Sequence, residues 1–349
     1  MSEATRIGIR DIAKRCGVST AAVSLVINDK ARQHGLKEET IERIRRVIAE
    51  CDYRPSLRGR LARTGRSRMV GLISETTFDE KWGEFYFALE KHLRGIGYYL
   101  ITSSVPPGQD PYLTIDKFLD IPIDAMVVRC PNDDVIRACA EQSIPLIALE
   151  LVDRAPVVIK GNDEELGSLA ARCLIDGGAH QPALVFPKAI VQGDYERMAA
   201  FRAVFAEKQI EVYDIDCAVL DGDAAAADRA IHDFFAEVQN HSGRPVDAVF
   251  GHDRYCIALQ TLLRRRAIGV PDAIQIIGCH DYSWSRYVDP PISTVAVDFT
   301  AIGERVFQHL RARLLGEAGC MPSSDLLTPT VRLRGSTRIT APADRPGIP

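Results

Sequence analysis

The sequence predicts a small all-α head at the N-terminus, followed by an α/β body of two lobes that carry doubly wound parallel sheets. Three observations support this fold class: a helix–glycine–helix pattern over 9–28, an excess of basic residues before residue 69, and a regular alternation of strands and helices after it. A chain of 349 residues exceeds one typical hydrophobic core and predicts two or three domains.

The head is predicted from the hydrophobic spacing of 9–28. The first helix has its apolar side chains at i, i+3, i+4 and i+7, namely at Ile9, Ile12, Ala13 and Cys16. Gly17 is suited to end this helix, and Ser19 is suited to cap a second one. The inward stripe of the second helix is Val23, Val26 and Ile27. Two helices joined by a short glycine turn form a helix-turn-helix that enters the DNA major groove, although a helical hairpin without a DNA partner has the same spacing.

The charge of the chain is divided between its two ends. Residues 1–68 carry 16 Lys and Arg against 8 Asp and Glu, a net charge of +8, whereas the remaining residues carry a net charge of −12. A basic head on an acidic body fits contact between the head and DNA phosphates. The segment 53–68 holds six Arg and no acidic residue, and we expect DNA to order it. A basic interdomain linker is the alternative that this charge pattern allows.

The body alternates buried-strand patterns with helical patterns. The predicted strands are 69–74, 98–102, 125–129, 146–149, 183–186, 248–251, 274–278 and 294–297. The predicted helices are 82–95, 164–176, 194–208, 224–238, 253–267 and 300–315. Sheets of this kind bind ligands beyond the carboxyl ends of their strands, so two lobes side by side would share a cleft.

Composition disfavours several other classes of protein. No apolar run approaches the roughly 18–20 residues of a membrane span, and the first residues lack an apolar signal region, so we expect a cytoplasmic protein. The nine cysteines include no C-x-x-C pair and are predicted to be free thiols. The sequence has no phosphate-binding glycine motif and no G-x-S-x-G elbow, so we predict no enzyme activity, no cofactor and no metal.

At the N-terminus the chain resembles the LacI/GalR family of bacterial transcriptional regulators. The matching residues are Asp11-Ile12-Ala13, Gly17-Val18-Ser19, Ala22-Val23-Ser24, Asn28, Tyr53-Arg54-Pro55, Arg60, Thr64-Gly65 and Ser67. This resemblance implies a helix-turn-helix head, a hinge helix and a two-lobed periplasmic-binding-protein-like effector domain. The DNA-binding residues that it implies are Ser19, Thr20, Ala21, Ser24, Leu25, Asn28, Tyr53, Ser56, Arg58, Arg60, Leu61 and Ala62.

Three positions depart from the family pattern. Gly8 stands where the family prefers Thr, which removes a helix cap, and Leu25 replaces a frequent Arg. With Thr20 and Ala21, Leu25 makes the base-facing surface apolar and suited to thymine methyl groups. The family's minor-groove Leu aligns with Ala62, whereas Leu61 lies one position earlier, which leaves open which of the two acts there.

The same resemblance implies effector-binding residues in the cleft. They are Trp82, Glu150, Arg197, His252, Asp253, His280, Asp281 and Phe299. Arg197 matches an Arg that grips ligands, although without the resemblance an Arg that pairs with Glu196 or Asp194 on a helix surface is favoured. The two His depart from the usual family residues. Structural roles remain open for the His pair and Glu150, and core packing remains open for the two aromatic residues.

We therefore expect a dimeric repressor that binds a pseudo-palindromic operator and responds to a small molecule, a sugar or sugar derivative, between the lobes. A purine or other non-sugar corepressor and an activator are the alternatives, and a binding protein or enzyme without DNA function is a remote one. The expected domains are 1–54 for the head, 55–68 for the hinge, 69–340 for the effector and dimerisation domain, and 341–349 for a tail. The expected lobes are 69–162 with 293–327, and 163–292 with 328–340.

Overall fold

The computed structural model describes residues 7–53, 61, 64–74, 79–105, 116–129, 133–149, 155, 157–187, 192–221, 223–316 and 324–339. The chain divides into two compact units, Met1–Ser67 and Arg68–Pro349. The first unit contains the head, and the second contains two six-stranded sheets with their covering helices.

Three helices form the head: α1 (Ile9–Cys16), α2 (Thr20–Ile27) and α3 (Glu38–Glu50). Their apolar faces meet in one small core, in which Ile12, Val23 and Ile44 are fully buried. The helix α3 was not among the predicted elements, yet it closes this core. Burial of two short helices against a third supplies the stability that helices of eight residues lack alone in water.

The turn between α1 and α2 has the local structure that its residues predict. Gly17 adopts a left-handed conformation with φ of 62°, and the Ser19 hydroxyl accepts a hydrogen bond of 3.2 Å from the Ala22 N–H. Gly8 offers no side-chain cap to α1, as expected. Instead, the Asp11 carboxylate accepts a hydrogen bond of 2.8 Å from the Gly8 N–H, which fixes the start of the helix.

The first sheet of the body is parallel throughout. Its strands are β1 (Met69–Ser74), β2 (Tyr99–Ser104), β3 (Ala125–Val128), β4 (Leu146–Ala148), β5 (Val158–Gly161) and β11 (Ser324–Leu327), in the order β11-β5-β4-β3-β1-β2. The helices α4 (Glu80–Gly95), α5 (Asp133–Glu141) and α10 (Phe299–Leu315) accompany this sheet. We call this part of the body the first lobe.

The second sheet is parallel except for one edge. Its strands are β6 (Pro182–Val185), β7 (Tyr213–Asp214), β8 (Ala248–His252), β9 (Gln275–Cys279), β10 (Ser293–Ala296) and β12 (Thr330–Arg332), in the order β12-β10-β9-β8-β6-β7 with β12 antiparallel to β10. The helices α6 (Asp163–Asp176), α7 (Gln192–Ala206), α8 (Ala224–Ser242) and α9 (Asp253–Arg265) accompany it. We call this part the second lobe.

One expected lobe boundary is wrong. The expected lobes placed 293–327 wholly in the first lobe, but β10 (Ser293–Ala296) pairs with β9 and β12 and lies inside the second sheet. The chain therefore crosses to the first lobe after Ala296 and before α10. The Ser293 and Thr294 side chains explain this position, because both are fully buried among polar partners of the second lobe.

Six of the strands are each followed along the described chain by an α-helix: β1, β3, β5, β6, β8 and β10. The core side chains are buried on both faces of the strands, as in Val70, Ile147 and Ile277. This arrangement brings the carboxyl ends of the strands and the first turns of the helices of both lobes to one cleft. No helix among the described residues combines the length and apolar character that crossing a bilayer requires.

Candidate functional site

The second unit holds a cavity of about 290 Å³ between its two lobes. Five of the predicted effector residues line it: Trp82, Arg197, His252, His280 and Phe299. They come from both lobes: His252 and His280 lie at the ends of two strands, Trp82 and Phe299 lie in the first turns of two helices, and Arg197 lies in the second turn of α7. The cavity lies where open α/β sheets bind their ligands.

Arg197 lies at the centre of a buried ionic network. Its Nε donates to Asp163 Oδ1 over 2.7 Å, and its Nη1 donates to Asp194 Oδ1 over 2.8 Å. Although burial alone would lower its pKa, Asp163 and Asp194 raise the pKa of Arg197 overall, so the guanidinium is fully charged. No described residue accepts a hydrogen bond from Nη2 of Arg197. Arg197 does pair with Asp194, as the alternative of a helix-surface Arg predicted, but this pair is buried in the cavity wall and does not lie on the surface.

The network extends to a buried lysine. Lys160 lies in β5, and its Nζ bonds to Glu196 and lies 3.7 Å from Asp163 Oδ2. Lys160 and Asp163 are each less than a tenth exposed. Charges so far removed from water persist because each has an opposite partner and hydrogen bonds, which offset the desolvation.

Two histidines join this network to the second sheet. His252 is the last residue of β8, and its Nε2 lies 2.9 Å from Asp194 Oδ1. His280 follows β9, and its Nε2 lies 3.2 Å from Arg197 Nη1. An arginine only donates hydrogen bonds, so His280 accepts at Nε2 and holds its proton on Nδ1. Burial, followed by the charge of Arg197, lowers the pKa of His280 well below its usual value, which keeps the ring neutral.

Another part of the cavity wall is aromatic. The rings of Trp82 and Phe299 meet edge to face with their centroids 5.3 Å apart. The guanidinium of Arg129 lies 4.2 Å from the centroid of the Trp82 ring. The cavity therefore has an apolar wall next to a polar one, an arrangement suited to a ligand with both kinds of surface.

Backbone features position the polar wall. A Cβ on Gly167 would lie 2.0 Å from the Arg197 carbonyl oxygen, so this glycine allows α6 and α7 to approach and brings Arg197 to Asp163. His280 and Asp281 have φ of 90° and 55°, a left-handed conformation that is costly for residues other than glycine. Such strain is common where a side chain is held for function.

Asp253 and Asp281 do not line the cavity, contrary to the prediction from the family pattern. Asp253 is fully buried and accepts hydrogen bonds from the Tyr282 N–H, the Ser285 hydroxyl and the Thr294 hydroxyl. Burial raises the pKa of Asp253 to about 7. Its oxygens are occupied by the loop after β9, so the carboxyl group anchors that loop and does not face the cavity.

Asp281 has a similar structural role. Its carboxylate pairs with Arg286 over 3.1 Å, with Arg332 over 2.7 Å and with Arg334. Burial opposes ionisation, but these arginines lower the pKa of Asp281 overall. Three cations thus hold this residue behind the wall of the cavity. Glu150, the remaining predicted effector residue, lies outside the described residues.

The two lobes are joined at the mouth of the cavity by a pair of contacts that we call the latch. The Tyr282 hydroxyl donates to Asp79 Oδ2 over 2.7 Å. The N–H and hydroxyl of Ser283 donate to the Glu80 carboxylate over 2.8 and 3.0 Å. The first turn of α4 is thereby held against the loop that Asp253 anchors.

The head presents a separate candidate surface. Ser19, Thr20, Ala21 and Asn28 are exposed on α2 or at its ends, whereas Ser24 and Leu25 are partly buried. The Asn28 Nδ2 donates to the Ser24 carbonyl over 2.6 Å, and Leu25 packs against the head core. Tyr53 is partly buried and also packs on this core. Leu61 lies within the described part of the hinge, whereas Ser56, Arg58, Arg60 and Ala62 lie outside it.

His252, Cys279 and His280 form a group with the spacing of metal ligands, since their ligand atoms lie within 4.8 Å of one another. The surroundings oppose a cation there. Nε2 of His280 already accepts from Arg197, and burial raises the pKa of the Cys279 thiol well above its usual value. The group therefore does not overturn the prediction that no metal is bound.

The sequence prediction missed several polar residues of the wall. These are Asp79, Lys81, Arg129, Lys160, Asp163, Asp194 and Tyr282. A positional signal was available for most of them, because Arg129 directly follows β3 and Asp163 begins α6 directly after β5. Residues in such positions face the cleft in a doubly wound sheet.

Two family descriptions match this chain. Residues 8–56 match bacterial regulatory proteins of the lacI family, and residues 171–337 match a periplasmic binding protein-like domain. The repressor PurR of Vibrio parahaemolyticus is 26% identical over 327 residues, which cover 88% of this chain and 91% of that protein.

Solved structures share the fold. The lac repressor dimer bound to operator and the anti-inducer ONPF has a TM-score of 0.80 at 19% identity, over 95% of this chain and 99% of that one. A complex of the transcriptional regulator CelR with cellobiose has a TM-score of 0.65 at 20% identity, over 95% of this chain and 100% of that one.

The helix-turn-helix head and the two-lobed body with its cavity define a DNA-binding transcriptional regulator with an effector-binding domain. The match of residues 8–56 to the lacI family of bacterial regulatory proteins confirms the resemblance seen in the N-terminal residues of the chain.

Proposed function

We propose that this protein is a repressor that binds a pseudo-palindromic operator as a dimer and is switched by a carbohydrate or carbohydrate derivative. The observation that carries the proposal is the buried network around Arg197 in a cavity between two lobes that follow a helix-turn-helix head. The relatives named HTH-type transcriptional repressor PurR support repression as the direction of control.

The chemistry of the cavity favours a polyhydroxylated ligand. A hydroxyl group both donates and accepts, and the polar wall offers donors on Arg197 beside acceptors on Asp163 and Asp194. Trp82 and Phe299 supply an apolar face of the kind that packs on a sugar ring. The cellobiose in the CelR complex is consistent with a sugar in this fold.

We propose that DNA is contacted by the head, 1–54, and by the hinge, 55–68. In the head, the exposed Ser19, Thr20 and Ala21 lie at the start of α2, the part of a recognition helix that reaches base edges. Ser24, Leu25, Asn28 and Tyr53 would contact the DNA beside them. In the hinge, Ser56, Arg58 and Arg60 would bind phosphates, with Leu61 or Ala62 at the minor groove.

The effector would act through the angle between the lobes. A ligand shifts an equilibrium between two arrangements only by its difference in affinity for them. The cavity takes residues from both lobes, so a ligand that contacts both favours the arrangement in which the lobes are close. A change in this angle alters the spacing of the hinge segments of a dimer and hence operator affinity, in either direction. Since its operator lies on the chromosome, we propose a cytoplasmic location.

A gel-shift experiment tests the DNA-binding proposal. The probe is the DNA upstream of the protein's own gene, and the full chain is compared with a chain that lacks residues 1–68. We expect binding by the full chain alone, because both predicted DNA contacts lie in the deleted segment. Equal binding by the two forms would reject the proposal.

A thermal-shift screen tests the effector proposal. The ligands are neutral sugars, sugar acids, sugar phosphates and purine bases, and a bound ligand raises the unfolding midpoint by mass action. A shift with carbohydrates and none with purines supports the proposal. A shift with purines alone supports the purine alternative and rejects the carbohydrate.

A further inference from the structure

We propose that the effector carries an anionic group, a carboxylate or a phosphate, which Arg129 and Lys81 of the first lobe bind. This inference deepens the proposed function and rests on the effector binding in the cavity between the lobes.

Arg129 and Lys81 occupy adjoining parts of the cavity wall. Arg129 directly follows β3, a strand in the middle of the first sheet, and stacking on Trp82 fixes its guanidinium 4.2 Å from the ring centroid. Lys81 lies in the first turn of α4, one residue before Trp82, and is only 7% exposed. Its Nζ pairs with Glu84 over 2.8 Å, and that carboxylate is more exposed, on the solvent side of the lysine.

The carboxylates of the wall already accept hydrogen bonds from protein donors. Asp79 accepts from the Lys81 N–H, the Trp82 N–H and the Tyr282 hydroxyl. Asp163 and Asp194 accept from Arg197, and Asp194 also accepts from His252. Asp163 and Asp194 of the second lobe thus have cationic partners within the wall, and Arg129 and Lys81 of the first lobe add two more cations to the lining of the cavity.

The surroundings of His280 bring several cations near one part of the cavity wall. After burial, the groups that lower the pKa of His280 are Arg197, His252, Arg129 and Lys81, all of which are cations or potential cations. Cations from both lobes therefore act on one point in the wall. The His252, Cys279 and His280 group is a poor cation site for the same reason.

Helix ends add to this potential. The wall includes first-turn residues of α4, α6, α7 and α10 and the N-cap of α9, so five helices begin at the cavity. Each N-terminus carries a partial positive charge of roughly half a unit. Acidic side chains in these first turns offset part of this positive charge. The cationic side chains of the first lobe lie near the same helix N-termini, and together they lead us to expect an anionic ligand group.

Matched ligand pairs test this inference by isothermal titration calorimetry. The probes are D-galacturonate against D-galactose, D-gluconate against D-glucose, and D-glucose 6-phosphate, each with wild type, Arg129→Gln and Arg137→Gln. Arg137 is an exposed residue of α5 in the same lobe, paired with Asp134, and serves as the control. We expect one acid or phosphate to bind, with its Kd raised about tenfold or more in Arg129→Gln and unchanged in Arg137→Gln.

The outcomes separate this inference from the proposed function. Binding of a carboxylate alone or a phosphate alone identifies the anionic group, and its Kd should rise with salt because the attraction is between charges. Binding of a neutral sugar with no anion preference overturns the anionic group and leaves the carbohydrate proposal standing. Binding of none of the acids or phosphates overturns the inference, and binding of hypoxanthine in the same series rejects the carbohydrate proposal as well. An equal Kd in wild type and Arg129→Gln overturns the role of Arg129.

Discussion

Arg197 connects several parts of the cavity wall, because its guanidinium bonds to Asp163, Asp194 and His280. It joins α7 to Asp163 of α6 and to His280 after β9. Removal of the side chain would take away the buried cation that bonds to both Asp163 and Asp194, which costs several kcal/mol and endangers the fold. A test of ligand binding therefore needs a variant that keeps the charge.

We predict that Arg197→Lys weakens effector binding about tenfold or more and leaves operator binding intact. Lysine keeps the positive charge beside Asp163 and Asp194 but lacks the planar fork that bonds to several partners at once. Calorimetry with the ligand from the screen and a gel shift with the operator measure the two properties.

The control for this prediction is Arg202→Lys. Arg202 lies on the same helix and pairs with the exposed Asp214, away from the cavity. We expect its effector affinity to equal that of wild type. If Arg197→Lys lost operator binding and kept its ligand, the assignment of this residue to the effector site would be wrong.

Asp253 gives the protein a pH dependence of stability. Burial raises its pKa to about 7, whereas the carboxyl group of an unfolded chain titrates near 3.9. Between roughly pH 4 and 7 the folded state holds a proton that the unfolded state has lost, so the stability that this proton contributes declines as pH rises through that window.

We predict that Asp253→Asn removes this decline. The free energy of unfolding should fall by about 2–4 kcal/mol more in wild type than in the variant between pH 4.5 and 8. Urea unfolding at a series of pH values measures the difference. Buried His280, with a lowered pKa, contributes in the opposite direction, but it is present in both proteins and cancels. Asp228→Asn, at an exposed pair with Arg266, is the control and should retain the wild-type decline.

At the scale of helices and strands, the sequence predicts only some of the elements that position the site. The predicted strands of 69–74 and 248–251 were found at those places because each is a buried apolar run ahead of a helical pattern. β5, β11 and β12 were missed, since they are strands of three or four residues with few or no continuous apolar side chains.

The candidate site shows the same limit at the level of side chains. Position after a strand identified His252 and His280 correctly as residues of the cavity wall. It could not tell that Asp253 and Asp281, each one residue further along, turn away toward buried hydroxyls and arginines. Sequence order gives the end of the strand, whereas the direction of the next side chain depends on partners distant in sequence.

The latch is the element through which the lobes are held at the mouth of the cavity. The Glu80 carboxylate accepts from the N–H of Ser283, while the neighbouring Tyr282 N–H donates to Asp253 within its own lobe. The Ser283 amide therefore reports contact between the lobes, whereas the Tyr282 amide reports the structure of the loop within the second lobe. Amide hydrogen exchange distinguishes the two.

We predict that Glu80→Gln raises the exchange rate of the Ser283 amide about fivefold to tenfold and leaves that of Tyr282 unchanged. A neutral amide accepts more weakly than a carboxylate, by about 1 kcal/mol. Glu90→Gln, on the outer part of the same helix and paired with Arg94, should change neither rate. Equal protection of Ser283 in wild type and Glu80→Gln would show that the lobes are held together elsewhere.

At the scale of the whole molecule, DNA binding and effector binding are divided between two compact units of opposite charge. The basic residues that would bind phosphates precede residue 69, and the ligand cavity lies wholly after it. Coupling between them requires that the body of one copy act on that of another, since a pseudo-palindromic operator has two half-sites. The proposed dimer is thus part of the mechanism.

We predict that the first lobe supplies the dimer contact. Phe87 on α4 is 72% exposed and Tyr99 at the start of the edge strand β2 is 59% exposed, large apolar side chains that water disfavours. In a symmetric interface the substitution is present on both copies, so Phe87→Glu should raise the dimer dissociation constant about thirtyfold or more. Light scattering after size exclusion should then show a monomer at micromolar concentration, with weakened operator binding. Tyr287→Glu alters an aromatic side chain of the second lobe that is even more exposed than Phe87, and this variant should remain dimeric. A dimeric Phe87→Glu would place the contact on another surface.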